Sequence, residues 1–283
     1  MGHPQIAAFA RTAKGIPAPK RTIGGQITQL TRGTHDIRYD DVHDEIWLAA
    51  PHADAILTFR GNANGAEPPL RVLQGAKTQI SADRLDVDPI HNELFVPARD
   101  RVLVFRREAQ GDEAPIRVIR GPDTQLRSSS ALTVDPVHDL IIVAAYAKNT
   151  KDTREEPDIK LLFFNRTDEG NVKPRGEILI PKTGPQRTSE QLFGQMQVYP
   201  PKGWVIATIP GADRSWEGGE FTPYIGIWSI NDRGAVPPRW KLGGKKSTLL
   251  RPRGVVLNPE SKELIVSDMR QNALLTYYFP ELF

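Results

Sequence analysis

The chain has 283 residues, with 37 Lys and Arg against 34 Asp and Glu, so its formal net charge at pH 7 is +3. It contains no cysteine, which excludes disulfides, thiolate metal sites and a cysteine nucleophile. The nearly balanced charge, without a basic run or a basic–aromatic block, argues against nucleic acid as a partner. No apolar run has the length of a membrane span.

The compartment is not predicted by the residues present. The first residues, Met-Gly-His-Pro-Gln, lack the charged and apolar regions of a signal peptide. A secreted or periplasmic location is favoured only if a leader was removed from a longer parent.

The N-terminal region reads as the second half of a repeated unit. Residues 5–25 contain a strand pattern, a loop with a glycine, a proline and a second strand pattern. The same arrangement recurs over residues 55–75, AILTFRGNANGAEPPLRVLQG. We therefore expect the chain to enter its fold in the middle of a repeat.

The repeat is clearest over residues 81–126. Four short apolar runs are separated by the turn Asp-Pro-Ile-His, a short polar link and a loop ending in Gly-Asp-Glu-Ala-Pro. This pattern predicts four strands joined by hairpins in one antiparallel sheet. Similar units cover, approximately, residues 34–80, 81–127, 128–190, 191–250 and 251–283.

The last unit holds three strand patterns, at residues 254–257, 263–267 and 273–278. An N-terminal strand at residues 21–23 would complete it and close a ring. The predicted fold is all-β, a single five-bladed β-propeller domain of four-stranded antiparallel blades spanning 1–283, closed by pairing the N- and C-terminal strands of residues 5–25 and 251–283. Residues 6–10 and 273–278 both read as third strands, so one is surplus or the closure is unusual. Six blades are the alternative, but they would need two further strands that the sequence does not show.

The units resemble NHL-type propeller repeats over nearly the whole chain. The resemblance rests on the hairpin D-P-x-H/N-x-E-I/L-x-V, an apolar third strand with Phe, and the outer strand G-x-x-x-P-x-R-x-I. It implies relatives among scaffold modules, virginiamycin-type lyases, peptide-amidating lyases and gluconolactonase-like hydrolases. These enzymes differ in catalytic residues, so the resemblance transfers no activity.

Several repeated residues are interpreted as structural. His43, His91 and His138 each follow an Asp in a tight hairpin, where Asp accepts backbone N–H bonds, so we expect turn residues and not metal ligands. Glycines in the loops before the outer strands are expected to need a positive φ; they are Gly15, Gly65, Gly111, Gly170 and Gly234. Arg21, Arg71 and Arg117 are expected to be solvated charges that protect sheet edges.

Two sets of loops on one face form the candidate site. Alignment of the units gives one ring of equivalent residues (His35, Asp83, Ser130, Gly194, Arg253) and a neighbouring ring (Asp36, Arg84, Ala131, Gln195, Gly254). The second loop set contributes residues 51–54 with His52, residues 98–100 with Arg99, and residues 268–270. It also holds two insertions, residues 145–158 and 211–222, the second of which presents Trp216 as an aromatic lid.

The leading functional hypothesis is a binding module with a small anionic molecule or a peptide over the channel face. Arg84, Arg99 and Arg253 would bind its charge, with Gln195 and a stacking Trp216 beside it.

The alternative is a propeller lyase or hydrolase. His35 and Asp83, from neighbouring units, would be its acid/base pair, and Arg253 would stabilise an oxyanion. The cofactor is unknown; a divalent metal ion held by His35, His52 and Asp83 is one hypothesis. A gluconolactonase-like calcium centre is disfavoured, because the inner ring offers neither Glu nor Asn. A third hypothesis is an interaction domain that uses Arg71 and Arg117 on the outer rim.

Overall fold

The computed structural model describes residues 4–81, 83–127, 129, 131–146, 159–180, 194–209 and 223–283. These residues form an all-β fold with five antiparallel blades in a ring, the arrangement of a five-bladed β-propeller. The predicted fold class is confirmed. In the described part of the chain, no helix is long and apolar enough to cross a membrane.

The strands follow the order expected from the repeats. Two strands precede the first blade: β1 (Gln5–Ala8) and β2 (Arg21–Gly24). The first blade contains β3 (Asp36–Asp40), β4 (Glu45–Ala50), β5 (Ala55–Arg60) and β6 (Arg71–Gln74). The second blade contains β7 (Asp86–Asp88), β8 (Glu93–Ala98), β9 (Arg101–Arg106) and β10 (Arg117–Arg120).

The remaining blades repeat this order with small additions. The third contains β11 (Ala131–Asp135), β12 (Leu140–Tyr146), β13 (Ile159–Asn165) and β14 (Gly176–Ile180). The next strands are β15 (Met196–Tyr199), β16 (Trp204–Ile209), β17 (Tyr224–Ser229), β18 (Gly234–Ala235) and β19 (Trp240–Gly243). The last are β20 (Pro252–Asn258), β21 (Glu263–Asp268) and β22 (Ala273–Tyr278). Strand β18 pairs in parallel with β14 of the third blade. The fourth blade consists of β15, β16, β17 and β19, and the fifth of β20, β21 and β22.

Short 3-10 helices occupy several of the connections: Gln26–Thr28, Pro51–Ala53, Ala76–Thr78, Pro122–Thr124, Pro200–Lys202, Lys245–Ser247 and Pro280–Leu282. Four of them follow an outer strand and use one motif, in which a Thr or Ser hydroxyl donates to the carbonyl of the preceding glycine. The motif turns the chain from an outer strand towards the next inner strand.

The two segments predicted to be third strands, residues 6–10 and 273–278, both contain a β-strand in the structure. β1 pairs with β2 in a two-stranded antiparallel sheet, and β22 pairs with β21 in a three-stranded sheet with β20. Each therefore has its partner within its own sheet. Closure of the ring by pairing the N- and C-terminal strands stays a prediction.

The chain divides into two compact units. One consists of Met1–Val96 and Leu103–Arg117, and the other of Pro97–Val102 and Val118–Phe283. The core of the first unit contains the inward side chains of β4 and β5, including Leu48, Leu57 and Phe59. Apolar clusters of the second unit include one around Phe163 and Trp228 and one that joins the fourth and fifth blades.

The hairpin histidines are structural, as predicted. In the second blade, Asp88 Oδ1 accepts the N–H groups of Ile90 and His91 at 2.9 Å, and Oδ2 lies 2.7 Å from His91 Nδ1. The same three bonds recur in two further blades, at Asp40 with His43 and at Asp135 with His138. Each carboxylate is fully buried, so each turn is organised by one aspartate.

The repeated glycines join neighbouring blades along their outer edges. Gly111, with φ 62, donates its N–H to Val72 O at 2.7 Å and accepts from Gln74 N–H at 2.9 Å. Equivalent bridges join Ile23 to Gly65 and Ile119 to Gly170. The predicted positive φ is confirmed at all five glycines. An outer strand is therefore covered by the loop of the next blade.

The interpretation of the outer-strand arginines as solvated charges is wrong for two of them. The Arg71 side chain is only 17% exposed; its Nη2 lies 2.7 Å from Glu45 Oε1, and its guanidinium stacks over Trp47. Arg117, at 18%, pairs in the same way with Glu93. The aliphatic part of an arginine side chain packs on apolar surface while its guanidinium binds a carboxylate. The residue pattern of one strand does not predict which carboxylate on another strand this will be.

Substitution of Asp88 tests the hairpin motif. Asp88→Ala leaves two turn N–H groups without their acceptor, and we expect the free energy of unfolding to fall by about 2–3 kcal/mol. His91→Ala removes only the partly exposed ring and should cost about 0.5–1 kcal/mol. Urea denaturation of both variants measures the difference; equal losses would contradict the assignment of the turn to the carboxylate.

Candidate functional site

The candidate site lies where the first and second blades begin, within the first compact unit. His35 directly precedes β3, and Asp83 stands shortly before β7. His35 Nδ1 lies 3.3 Å from Asp83 Oδ1, and the two side chains are 42% and 33% exposed. The pair is therefore assembled from two blades and open to solvent.

The pair leaves the second nitrogen of the imidazole available. An Asp83 carboxylate facing Nδ1 keeps a proton on that nitrogen, so Nε2 faces the ligand, as an acceptor in the neutral ring and as a donor in the imidazolium. His52, in the 3-10 helix Pro51–Ala53 between β4 and β5, approaches the same place. A Cβ on Gly33 would lie 2.7 Å from His52 Nε2 and 3.9 Å from His35 Nε2. Both Nε2 atoms thus lie within 4 Å of one point that Gly33 leaves open.

Asp36 ties the first blade to the second next to this pair. It is only 5% exposed, and its Oδ2 accepts the N–H of Leu85 at 3.1 Å, while Oδ1 accepts that of Ile37. Burial raises the pKa of the Asp36 carboxyl, although Arg38 and Arg84 counteract part of this shift. The carboxyl is therefore a buried acceptor that joins two inner strands.

Arg84 positions both exposed side chains through their backbone. Its side chain is buried, and Nη1 donates to the carbonyl oxygens of His35 at 3.0 Å and Asp83 at 3.1 Å. These bonds hold the main chain on both sides of the His35–Asp83 pair. Contact of Arg84 with a ligand, expected from the sequence, stays a prediction.

The residues of the second unit that were predicted to bind a ligand form hydrogen bonds with backbone groups. Gln195 is buried, and its Oε1 accepts the N–H of Val255 at 2.8 Å; its own N–H donates to Arg253 O at 2.7 Å. Arg99 has φ 53 and accepts the N–H of Ser129 at 2.6 Å through its carbonyl oxygen. Ligand contacts by Arg99, Gln195 and Arg253 also stay predictions.

Some predicted residues lie outside the described residues. These are Trp216, Ser130, and nearly all of the two insertions.

The sequence interpretation missed what the second ring of equivalent residues does. Asp36 and Gln195 occupy the same position in their blades, and each accepts an N–H from the inner strand of the next blade. The signal available in the sequence was a hydrogen-bonding side chain at this position, followed one repeat later by the apolar residues Leu85 and Val255. The sequence pattern places this ring in the candidate ligand site, and two of its members connect blades.

A metal centre is not preformed by these side chains. Among the described residues, no group of three His, Asp or Glu is arranged to hold a metal ion. The assignment of His35, His52 and Asp83 as three ligands stays a prediction.

Comparison with known proteins supports the fold alone. No protein-family model matches the chain, and neither does any curated protein. Among solved structures, hydrazine synthase of Kuenenia stuttgartiensis superposes with a TM-score of 0.58 at 10% identity, covering 87% of this chain and 64% of that one.

Two further structures show the same likeness. The WD40 domain of Toxoplasma gondii coronin has a TM-score of 0.53 at 12% identity and covers 91% of this chain and 57% of that one. A nidogen/laminin complex has a TM-score of 0.51 at 12% identity, covering 87% and 80%. The chain spans less than two thirds of the length of the hydrazine synthase and coronin chains. At these identities the comparisons support a β-propeller, and no ligand or activity follows from them.

Two substitutions of Asp36 separate its hydrogen bond from its charge. Asp36→Ala leaves the buried Leu85 N–H without its acceptor and should lower the free energy of unfolding by about 1–3 kcal/mol. Asp36→Asn keeps one acceptor oxygen for the Leu85 N–H and removes the buried charge, but it leaves the Ile37 N–H facing an amide NH2, so we expect a smaller loss of stability at pH 7 than in Asp36→Ala.

The pH dependence follows from the raised pKa of Asp36. Its folded pKa exceeds the unfolded value, so its contribution to stability is present below the unfolded pKa and is lost as pH rises through the folded pKa. The free energy of unfolding of Asp36→Asn, relative to that of the wild type, should therefore be lower at acid pH than at pH 7. Urea titrations of both proteins at pH 7 and at acid pH measure this difference. A relative stability of the variant that rises on acidification would contradict the raised pKa of Asp36.

Proposed function

We propose that the chain is an NHL-like ligand-binding propeller module that binds a small anionic molecule or a peptide at the His35–His52 site. The observation that carries the proposal is the approach of two imidazole Nε2 atoms to one point beside Gly33. An exposed Asp83 faces one of the two rings. Few and convergent polar groups of this kind orient a ligand.

The imidazoles are better placed than Arg84 to contact an anion. The Arg84 guanidinium is buried and donates to the carbonyl oxygens of His35 and Asp83. The His35 ring is 42% exposed at the side-chain level. A ligand carboxylate or phosphate would therefore accept hydrogen bonds from the imidazoles, while Arg84 keeps the supporting loops in place.

Alanine substitution of the two histidines tests the proposal. A panel of small carboxylates, inorganic phosphate and acidic peptides is first titrated into the wild-type protein by calorimetry. For a member that binds, His35→Ala or His52→Ala removes a hydrogen bond to a charged group, and we expect affinity to fall roughly tenfold or more.

The matched control is His43→Ala, which removes a hairpin histidine of the same blade and should leave affinity unchanged. Alanine variants of Arg99, Gln195, Arg253 and Trp216 in the same assay test the remaining ligand contacts expected from the sequence. If no member of the panel binds the wild type, or if His35→Ala and His52→Ala bind as well as the wild type, the proposal is wrong.

A second candidate function is a lyase or hydrolase that uses His35 as its general base. The observation in its favour is the 3.3 Å separation of His35 Nδ1 and Asp83 Oδ1, in a pair whose His35 side chain is 42% exposed. A carboxylate that orients an imidazole in this way is the arrangement of many acid/base pairs.

The asparagine variant of Asp83 tests this candidate. If the wild type hydrolyses an ester or lactone, or eliminates from a substrate with an acidic C–H, Asp83→Asn should lower kcat by about 100-fold or more, because the imidazole tautomer is no longer fixed. KM should change little. Steady-state kinetics of both proteins make the comparison, and an unchanged kcat would remove His35–Asp83 as the catalytic pair.

A further inference from the structure

We infer that His35 and His52 together bind one divalent transition-metal ion through their Nε2 atoms, with Asp83 holding the His35 ring from outside the coordination shell. The inference rests on the proposed function, because it concerns the same site and specifies how that site would attract an anion. It changes the role of Asp83 from metal ligand to orienting residue.

The contact between His35 and Asp83 has the chemistry of a metal-binding histidine. Histidine ligands of metals usually donate their other ring N–H to a carboxylate or carbonyl, which fixes the tautomer and makes the ligating nitrogen more basic. Asp83 Oδ1 lies 3.3 Å from Nδ1 of His35 and leaves Nε2 facing away from the carboxylate. Because this oxygen faces the imidazole, the Asp83 carboxylate is better placed to orient the ring than to coordinate the ion.

Gly33 lets the two rings approach the same stretch of backbone. With φ 76, Gly33 brings the backbone close to both rings, and a Cβ there would overlap His52, at 2.7 Å from Nε2 and 2.8 Å from Cδ2. The same point is 3.9 Å from His35 Nε2. An ion would lie between the two Nε2 atoms and not at that point, and Zn–N bonds of roughly 2.0–2.1 Å require the rings to turn until these nitrogens are about 4 Å apart.

A two-histidine site has a defined ligand preference. Two neutral imidazoles leave the charge of a divalent ion uncompensated and several coordination positions open to oxygen donors. Imidazole ligands suit Zn²⁺, Cu²⁺ and Ni²⁺, with Cu²⁺ binding most tightly. The bound ion would then take the carboxylate or phosphate oxygen of the anionic ligand, because the Arg84 guanidinium donates to the carbonyl oxygens of His35 and Asp83.

Metal titration of the full chain tests the inference without any ligand. The purified protein is treated with a chelator, dialysed, and titrated by calorimetry with Zn²⁺ and with Ni²⁺. We expect one site, lost in His35→Ala and in His52→Ala. Asp83→Asn should still bind, with affinity lowered about 10–100-fold, the loss usual for an outer-shell partner.

Two glycine substitutions form a matched pair. Gly33→Ala keeps both histidines, but its Cβ would overlap the His52 ring and displace it, so the substitution should abolish metal binding. Gly65→Ala imposes the same backbone strain, since Gly65 has φ 74, but its Cβ would meet no atom within 4 Å. Metal binding should therefore survive in Gly65→Ala.

Resonance shifts of the two rings keep the inference testable if Gly33→Ala fails to fold. Addition of Zn²⁺ to the wild type should move the imidazole signals of His35 and His52 and leave those of His43, His91 and His138 in place. No binding by the wild type, undiminished binding by Gly33→Ala, or shifts confined to the hairpin histidines would overturn the inference.

The anion panel, measured with chelated and Zn²⁺-loaded protein, separates the two claims. Tighter anion binding by the loaded protein supports both. Equal binding by the two forms supports the anion site and overturns the role of the metal. Metal binding without any anion binding supports the metal site and overturns the proposed function.

Discussion

The fold depends on how each blade satisfies the backbone groups at its two free edges. A four-stranded blade has one unpaired edge on its inner strand and another on its outer strand, and unpaired N–H and C=O groups are costly when buried. The outer edge is satisfied by the loop of the following blade, as when Gly111 exchanges two hydrogen bonds with residues 72 and 74. The inner edge is reached by side chains, since Asp36 accepts from Leu85 and Gln195 accepts from Val255.

The candidate site is built on one of these inner connections. Asp36 accepts the Leu85 N–H, and Arg84 binds the carbonyl oxygens of His35 and Asp83, so the two loops that carry the exposed pair are fixed by buried groups. Function-bearing side chains are held best when their neighbours are rigid. The backbone on both sides of the pair is therefore held by buried groups, and His35 Nδ1 and Asp83 Oδ1 lie 3.3 Å apart on this support.

Features set by residues close in sequence were predictable, and most features that join distant residues were not. The Asp–His turns and the positive-φ glycines follow from local residue chemistry, and the structure contains both. The pairing of Arg71 with Glu45 and the bond from Gln195 to Val255 join residues 26 and 60 positions apart. Strand periodicity carries no information on such partners. Alignment of the units did bring His35 and Asp83 to equivalent positions, so the candidate pair was the one cross-blade relation that the repeats themselves indicated.

The comparison of Asp36 with Gln195 shows that the fold alone does not demand a charge at this position. Both side chains accept a backbone N–H of the next blade. Gln195 does so as a neutral amide, whereas Asp36 does so as a carboxyl group whose pKa is raised by burial. A buried carboxylate is favourable only with a counter-charge, and Arg84 and Arg38 lie close enough to lower that pKa. The Arg84 guanidinium in turn donates to the carbonyl oxygens of His35 and Asp83. The hydrogen bond to the next blade therefore needs only an acceptor oxygen, and the charge of Asp36 is compensated in part by the arginine that positions the His35–Asp83 pair.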